Sequence, residues 1–252
     1  MHSISKNSNV KTMKKTLITI LAALATFASQ AQNIQVHYDF GRTFYSSEQP
    51  DRQKVTITLE QFKADRLGSW YYFVDIDVKS AGATGGYTEI SREFNFKQNS
   101  PFAAHVEFDG GLNLAGSFQN AALAGVAYNW HNSDFTRTWS LQALYKQHFK
   151  SGDLKAVEGF QLTTVWGMEL LNRKLTFSGF IDLWNGYIPS WKADGTQKKG
   201  LIFATEPQLW YNFSKHFSAG TEVEISNNFI YHSASTTTTF YVNPTLAVKF
   251  TL

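Results

Sequence analysis

The chain has no cysteine. Disulfides, thiolate metal sites, cysteine nucleophiles and an N-terminal lipoprotein anchor are therefore excluded. Proline is scarce, at 5 of 252 residues. No apolar run approaches the roughly 20 residues that a membrane-spanning helix needs. There is no G-x-S-x-G, no histidine pair at metal-ligand spacing and no glycine loop suited to phosphate, so no cofactor or metal is expected. An excess of positive charge is missing too. The formal +3 rests on Lys6, Lys11, Lys14 and Lys15 near the N-terminus; without those four of the 23 basic residues, 19 remain against 20 acidic ones. With no basic stripe along the rest of the chain, no nucleic-acid partner is expected.

What is present begins with a leader. Lys14 and Lys15 precede an apolar stretch from Leu17 to Phe27, and Ser29-Gln30-Ala31 follows. A basic start, a short apolar core and small residues at the cleavage positions read as a secretory signal peptide ending at Ala31. Residues 1–12 look like an upstream extension, with translation starting at Met13. The expected organisation is thus 1–31 as signal peptide and 32–252 as one domain.

That domain alternates. At its end, Phe240, Val242, Pro244, Leu246, Val248, Phe250 and Leu252 share one face, and Tyr241, Asn243, Thr245, Ala247, Lys249 and Thr251 share the other. Side chains alternate across a strand with period two, so this is a strand with one oily face. It is long enough to cross a bilayer when tilted, which takes roughly 9–11 residues. Eleven more such stretches precede it, starting at Asn33–Phe40. Odd-numbered connections tend to be long, as at 41–53, 185–200 and 229–239; even-numbered ones are mostly short, as at Asn172-Arg173. Long loops at one end and short turns at the other are the outer-membrane pattern. The expected fold is an all-β transmembrane antiparallel β-barrel of about 12 strands, set in outer-membrane lipid of a Gram-negative cell.

A secreted water-soluble sandwich would also alternate. Against it stand the strand lengths, well above the usual ~5–6 residues, and the charges at strand centres on the polar face. Aromatics near the ends of the oily faces (Trp70, Phe102, Trp130, Phe149, Phe213, Phe250) resemble interfacial girdles. Two features resist the scheme. Arg92 shares a face with Ile90, Phe94 and Phe96, so either a bulge switches the phase there, turning Arg92 inward, or the span is shifted. Pro244 cannot donate to a ladder, so a bulge or local break is expected beside it.

Parity places the acids Asp39, Glu60, Asp75, Asp77, Glu107, Asp109, Glu169, Asp182, Glu206, Glu222 and Glu224 in the lumen, with Lys146 and Lys249 as its clear bases. Asp39, Asp75, Asp77, Asp109 and Asp182 are expected towards the outer mouth. Such a wall excludes small anions and favours neutral or cationic solutes. Tyr71, Phe73, Phe180, Trp184, Trp210 and Tyr241 also point inward. For each aromatic alone, space filling is the bland role; for any acid, pairing with a base from a loop is as good an account. Phe73 with Asp75 and Asp77, and Phe180 with Asp182 and Trp184, raise the binding role, because a stacking face beside polar edges suits a nucleoside. The candidate solute-binding set is Tyr71, Phe73, Asp75, Asp77, Glu107, Asp109, Phe180, Asp182, Trp184, Glu206, Trp210, Glu222 and Glu224. No catalytic residue is expected.

Over residues 33–252 the chain resembles the Tsx-type nucleoside-specific channels and their outer-membrane relatives. Trp70-Tyr71-Tyr72-Phe73-Val74-Asp75-Ile76-Asp77 and Phe177-Ser178-Gly179-Phe180-Ile181-Asp182-Leu183 carry that resemblance. It implies a monomeric, narrow, substrate-selective pore. Such barrels commonly end in an aromatic, whereas this chain ends in Leu252 with Phe250 two before it. The expected function is passive uptake of small polar solutes, nucleosides among them. One alternative is a lipid-modifying acyl hydrolase, which would need a serine and histidine on the outward face at the outer interface; His232-Ser233, in a Ser/Thr-rich loop, lacks a placed acidic partner. Another is a plugged structural or adhesive barrel. The loop at 185–200 carries Pro189 and Trp191, and the sequence leaves open whether it folds inward as a constriction.

Overall fold

A computed structural model describes residues 32–252 apart from 81, 114–115, 118, 153, 192–196 and 231–238. The leader and His232-Ser233 lie outside the described residues.

The polar-apolar alternation folds as read. The strands are β1 (Asn33–Asp39), β2 (Val55–Asp65), β3 (Gly68–Lys79), β4 (Gly82–Asn95), β5 (Phe102–Asn113), β6 (Ala121–His131), β7 (Arg137–His148), β8 (Val157–Leu170), β9 (Leu175–Trp191), β10 (Gln197–Thr205 and Gln208–Asn212), β11 (Phe217–Asn227) and β12 (Phe240–Thr251). The sheet contains fourteen strand segments; Gly116–Ser117 is a two-residue side ladder on β5, and two segments are the halves of β10, which leaves twelve strands. Each pairs antiparallel with its neighbours in sequence. The circle closes where β1 meets β12, from Asn33↔Thr251 to Asp39↔Thr245. Closure removes the free edges that an open sheet would present to other chains.

Burial is inverted relative to a water-soluble protein. Gln35, His37, Asp39, Asp109, Lys146, Glu224 and Asn243 are buried, while Trp70, Phe94, Phe102, Trp130, Phe213, Leu246 and Phe250 are exposed. In β1 the burial string runs buried at Asn33, Gln35, His37 and Asp39 and open at Val36 and Tyr38. The lumen is thus the polar core, and the outside is an apolar band that only a bilayer can cover. All six girdle aromatics lie on that band.

Arg92 does not turn inward. It stays on the outer face, opposite Trp70 and Val106 in the ladders. Its guanidinium lies 5.1 Å from the Trp70 ring centre and 4.9 Å from that of Phe94. Asp65, in the turn below, accepts a 2.9 Å hydrogen bond from its Nη2. The cation therefore sits at the girdle, three residues from the end of β4, where ring faces and a carboxylate replace its water. The bulge in this hairpin lies elsewhere, at Asp77/Val78. At Pro244 the ladder breaks without slipping: pairing with β11 stops between Gly220↔Ala247 and Val223↔Pro244, and resumes in the same register. The Glu222 N–H then donates to Thr245 Oγ1 instead, at 3.1 Å.

Two further departures concern loops. Most of the predicted loop 185–200 is ladder, because β9 and β10 pair through Tyr187↔Lys199 and again at Trp191↔Gln197. The segment that enters the lumen is 41–53. Its short helix α1 (Gly41–Phe44) turns the chain back over the wall, and Gln49 ends only 4% exposed.

β10 breaks at Glu206-Pro207, since Pro207 has no N–H for a ladder. Gly179 of β9 faces the break with φ +156°, and a Cβ there would lie 2.6 Å from the Glu206 carbonyl oxygen and 2.9 Å from Pro207 Cα. Both the backbone region and the space demand glycine. Gly179→Ala is expected to cost about 1–3 kcal/mol, read from urea unfolding in phospholipid vesicles. Unchanged stability would mean that the break tolerates a side chain.

Candidate functional site

The lumen groups its side chains into three clusters, each assembled from strands distant in sequence.

The first surrounds Lys146 of β7. Its Nζ donates to Asp109 Oδ2 at 2.9 Å and to Gln161 Oε1 at 2.7 Å, and lies 5.2 Å from the Trp184 ring centre. Gln161 passes a hydrogen bond to Thr163, and Thr163 donates to Asp182 at 2.5 Å. Glu107 accepts from or shares a proton with His105 Nε2 at 3.1 Å, and Glu93 does so with Nδ1 at 3.3 Å. Glu89, Glu107 and Asp109 bring carboxylate oxygens within 4.8 Å of one another. Glu89 is the site residue that strand parity could have found and did not. It alternates with the outward Ile90 and therefore faces inward. Asp109 and Asp182 lie at mid-wall rather than at the mouth, because β5 and β9 extend several residues beyond them.

The second cluster is the aromatic wall of β3 and β4. Tyr71 and Phe73 lie with ring centres 6.3 Å apart, and Phe73 and Tyr87 5.9 Å apart. Beside them Asp75 accepts from Thr58 and Asp77 from Thr56, at 2.5 and 3.0 Å. The Tyr87 hydroxyl donates to Glu89 at 2.9 Å. Phe180 lies on β9 beside the β10 break, its carbonyl accepting from Thr205 Oγ1, and Trp184 packs edge-on against Phe229.

The third cluster lines β10 to β12 and β1. Trp210 is fully buried, donates to Gln208 at 2.9 Å, and carries Lys249 Nζ 4.0 Å above its ring. Gln208 donates to Glu222 at 2.6 Å, and His37 lies 3.8 Å from the same carboxylate. Glu224 accepts from Ser226 and Asn243. Glu206, at the strand break, faces across the lumen, where the charges of Glu222, Glu224, Asp75 and Glu89 act on it. Among the described residues no base lies within ion-pair distance of Glu206.

Nothing in the alternation pattern marks the base at the mouth, because it comes from a loop. Arg52, from the segment after α1, reaches Asp39 Oδ2 through Nε at 3.0 Å and Nη2 at 2.8 Å, and Glu224 Oε2 through Nη2 at 2.9 Å. Burial alone would lower its pKa; Glu224 and Asp39 outweigh that and raise it further, so it stays charged. Among the described residues Lys146 is engaged by Asp109, Arg52 by Asp39 and Glu224, and Lys249 by a tryptophan face. Glu60, Asp75, Asp77, Glu89, Asp182 and Glu206 have no ion-pair partner among the described residues. Among the described residues the wall remains net acidic.

Comparison with protein-family models matches residues 31–252 to a family described as a domain of unknown function (DUF5020). No curated protein matches the sequence. Among solved structures, the NanC porin aligns at 12% identity over 87% of this chain and 99% of that chain, with a TM-score of 0.55. The KdgM porin aligns at 12% identity over the same shares, with a TM-score of 0.48. The fold is that of the outer-membrane porins, and the chain is an outer-membrane β-barrel of the Gram-negative type.

Proposed function

Starting from a chain that belongs to the DUF5020 family of domains of unknown function, we propose that it is a passive outer-membrane channel for small polar solutes, neutral or cationic. The observation that carries this reading is the unbalanced acidity of the wall. Seven lumen carboxylates, Glu169 among them, lack an ion-pair partner among the described residues, while Lys146, Arg52 and Lys249 are each engaged. Charges lining a narrow passage with low-dielectric walls focus the field, so anions are repelled and cations concentrated. The likeness to porins supports a channel through its fold.

The finer reading takes a nucleoside as one solute. Its support is the Tyr71–Phe73–Tyr87 ladder with Asp75 and Glu89 at its edge: a base could stack on the rings, worth roughly 1–3 kcal/mol, while carboxylates accept from sugar hydroxyls.

Single-channel recording of the purified protein in planar bilayers tests the reading. The expected result is a K+-selective current, and Asp75→Asn with Asp77→Asn should lower the K+/Cl− permeability ratio several-fold. Absence of current would sink the channel in favour of a plugged barrel; an unchanged ratio would remove Asp75 and Asp77 from the selecting wall. Nucleosides added to one side should reduce the current in wild type and less so in Phe73→Ala.

A further inference from the structure

The mouth of the lumen already holds a ligand, and it comes from the chain itself. The two carboxylates that hold Arg52 divide their oxygens in the same way. Asp39 Oδ1 accepts from the Gly41 N–H at 2.6 Å, and Glu224 Oε1 accepts from Ser226 Oγ at 3.0 Å and Asn243 Nδ2 at 3.1 Å. One oxygen of each acid is thus pinned, that of Asp39 by the backbone at the start of α1 and that of Glu224 by the wall. The other oxygens, Asp39 Oδ2 and Glu224 Oε2, are both given to a single guanidinium at 2.8–3.0 Å. Both acids are more than nine-tenths buried. Three groups orient them, Ser226 and Asn243 on the wall and the Gly41 N–H at the start of α1, and Arg52 fills the site they prepare.

The segment that delivers Arg52 lies along the wall without joining the sheet. Tyr45 packs edge-on against Tyr241 with ring centres 5.1 Å apart, its hydroxyl accepts from the Val242 N–H at 3.2 Å, and Gln49 donates to Asn243 at 3.3 Å. Gly41 lets the wall approach: a Cβ there would stand 2.3 Å from Asn243 Oδ1 and 2.9 Å from Arg52 Cδ. These are few contacts for thirteen residues, and the two-acid grip on Arg52 is the strongest of them. Charge-assisted, forked hydrogen bonds are the kind that a planar guanidinium makes better than a point-charge ammonium.

We propose that Asp39 and Glu224 form an outer-mouth binding site for guanidinium-bearing solutes, occupied at rest by Arg52 of the first loop as a tethered stand-in. A tethered group competes at a high effective concentration, so a free guanidinium compound binds weakly to the wild type and well once the tether's head is removed. The inference rests on the channel reading only for one of its readouts.

The test uses methylguanidinium as ligand and methylurea, its neutral isostere, as control. Isothermal titration calorimetry in detergent compares wild type, Arg52→Ala, and Arg52→Ala with Asp39→Asn and Glu224→Gln. Methylguanidinium is expected to bind Arg52→Ala at least tenfold more tightly than wild type, with binding lost in the triple variant and none of methylurea to any. In bilayers the same compound should reduce the current of Arg52→Ala at concentrations that leave wild type unaffected. Heat-dependent gel mobility confirms that each barrel is folded. Where Arg52→Ala fails to fold, Arg52→Gln, which keeps the stem beneath Gly41, replaces it; failure of both would overturn the proposal in favour of a purely structural latch. Equal binding of the two compounds, or binding that survives in the triple variant, would also overturn it. Calorimetric binding that needs both acids in a protein without current would uphold the site and remove the channel.

Discussion

Lys146→Met is expected to destabilise the folded barrel by about 3–5 kcal/mol, the usual consequence of leaving a buried charge without its partner. Lys146 is 6% exposed and Asp109 4%, and their contact is 2.9 Å. Without the ammonium, Asp109 faces Glu89 and Glu107 at carboxylate spacing under 4.8 Å with no cation between them. Gln161 loses its donor as well, and with it the support of the Thr163–Asp182 bond. Methionine keeps most of the stem's volume and its contact with Trp184, so lost packing contributes little. Urea unfolding in phospholipid vesicles reads the difference. Adding Asp109→Leu to Lys146→Met should recover part of the loss, since the pair replaced together leaves fewer stranded charges. A cost below ~1 kcal/mol, the worth of an exposed pair, would show that water reaches Lys146 freely.

Glu206→Gln with Glu222→Gln is expected to lower the K+/Cl− permeability ratio roughly tenfold, at the low end of what focused fields achieve. The two differ in kind from Asp39, Glu224 and Asp109, whose charges are already met by Arg52 and Lys146. Glu206 stands at the wall break with the charges of Asp75 and Glu89 acting on it from the opposite side, so its field falls on whatever passes. Glutamine keeps size and hydrogen bonding and removes charge alone. Asp39→Asn, by contrast, should change the ratio less. If the Glu206 and Glu222 substitutions leave the ratio unchanged, selection happens elsewhere on the wall, and Asp75 with Asp77 becomes the stronger candidate.

Much of this was legible in the sequence because it depends on a local rule. In β1 and β12, as in ten other strands, alternate residues must face opposite sides, and only one assignment puts Asp39 and Lys249 away from lipid. The apolar girdle followed for the same reason. The misjudged positions are those where a non-local partner decides. For Arg92 the alternation left a phase switch and a shifted span both open, and only Trp70, Phe94 and Asp65 around it decide for the outer face. Residues 185–200 read as a loop, yet pairing across β9 and β10 makes most of them ladder. The identity of the inserted segment could not be read from 41–53, whose composition is that of any polar loop.

Period-two patterning by itself determined the strand count, the two faces of each strand, the closed membrane barrel and the acidic character of the lumen, since each follows from the alternation of side chains along a single strand. Which acids are neutralised, by Lys146 or by Arg52, which lack a basic partner among the described residues, as Glu206 and Asp75 do, and where the wall breaks were decided only by closure. The stagger of twelve tilted strands sets which inward residues share a level, and that stagger is a property of the ring as a whole, written in no one of its strands.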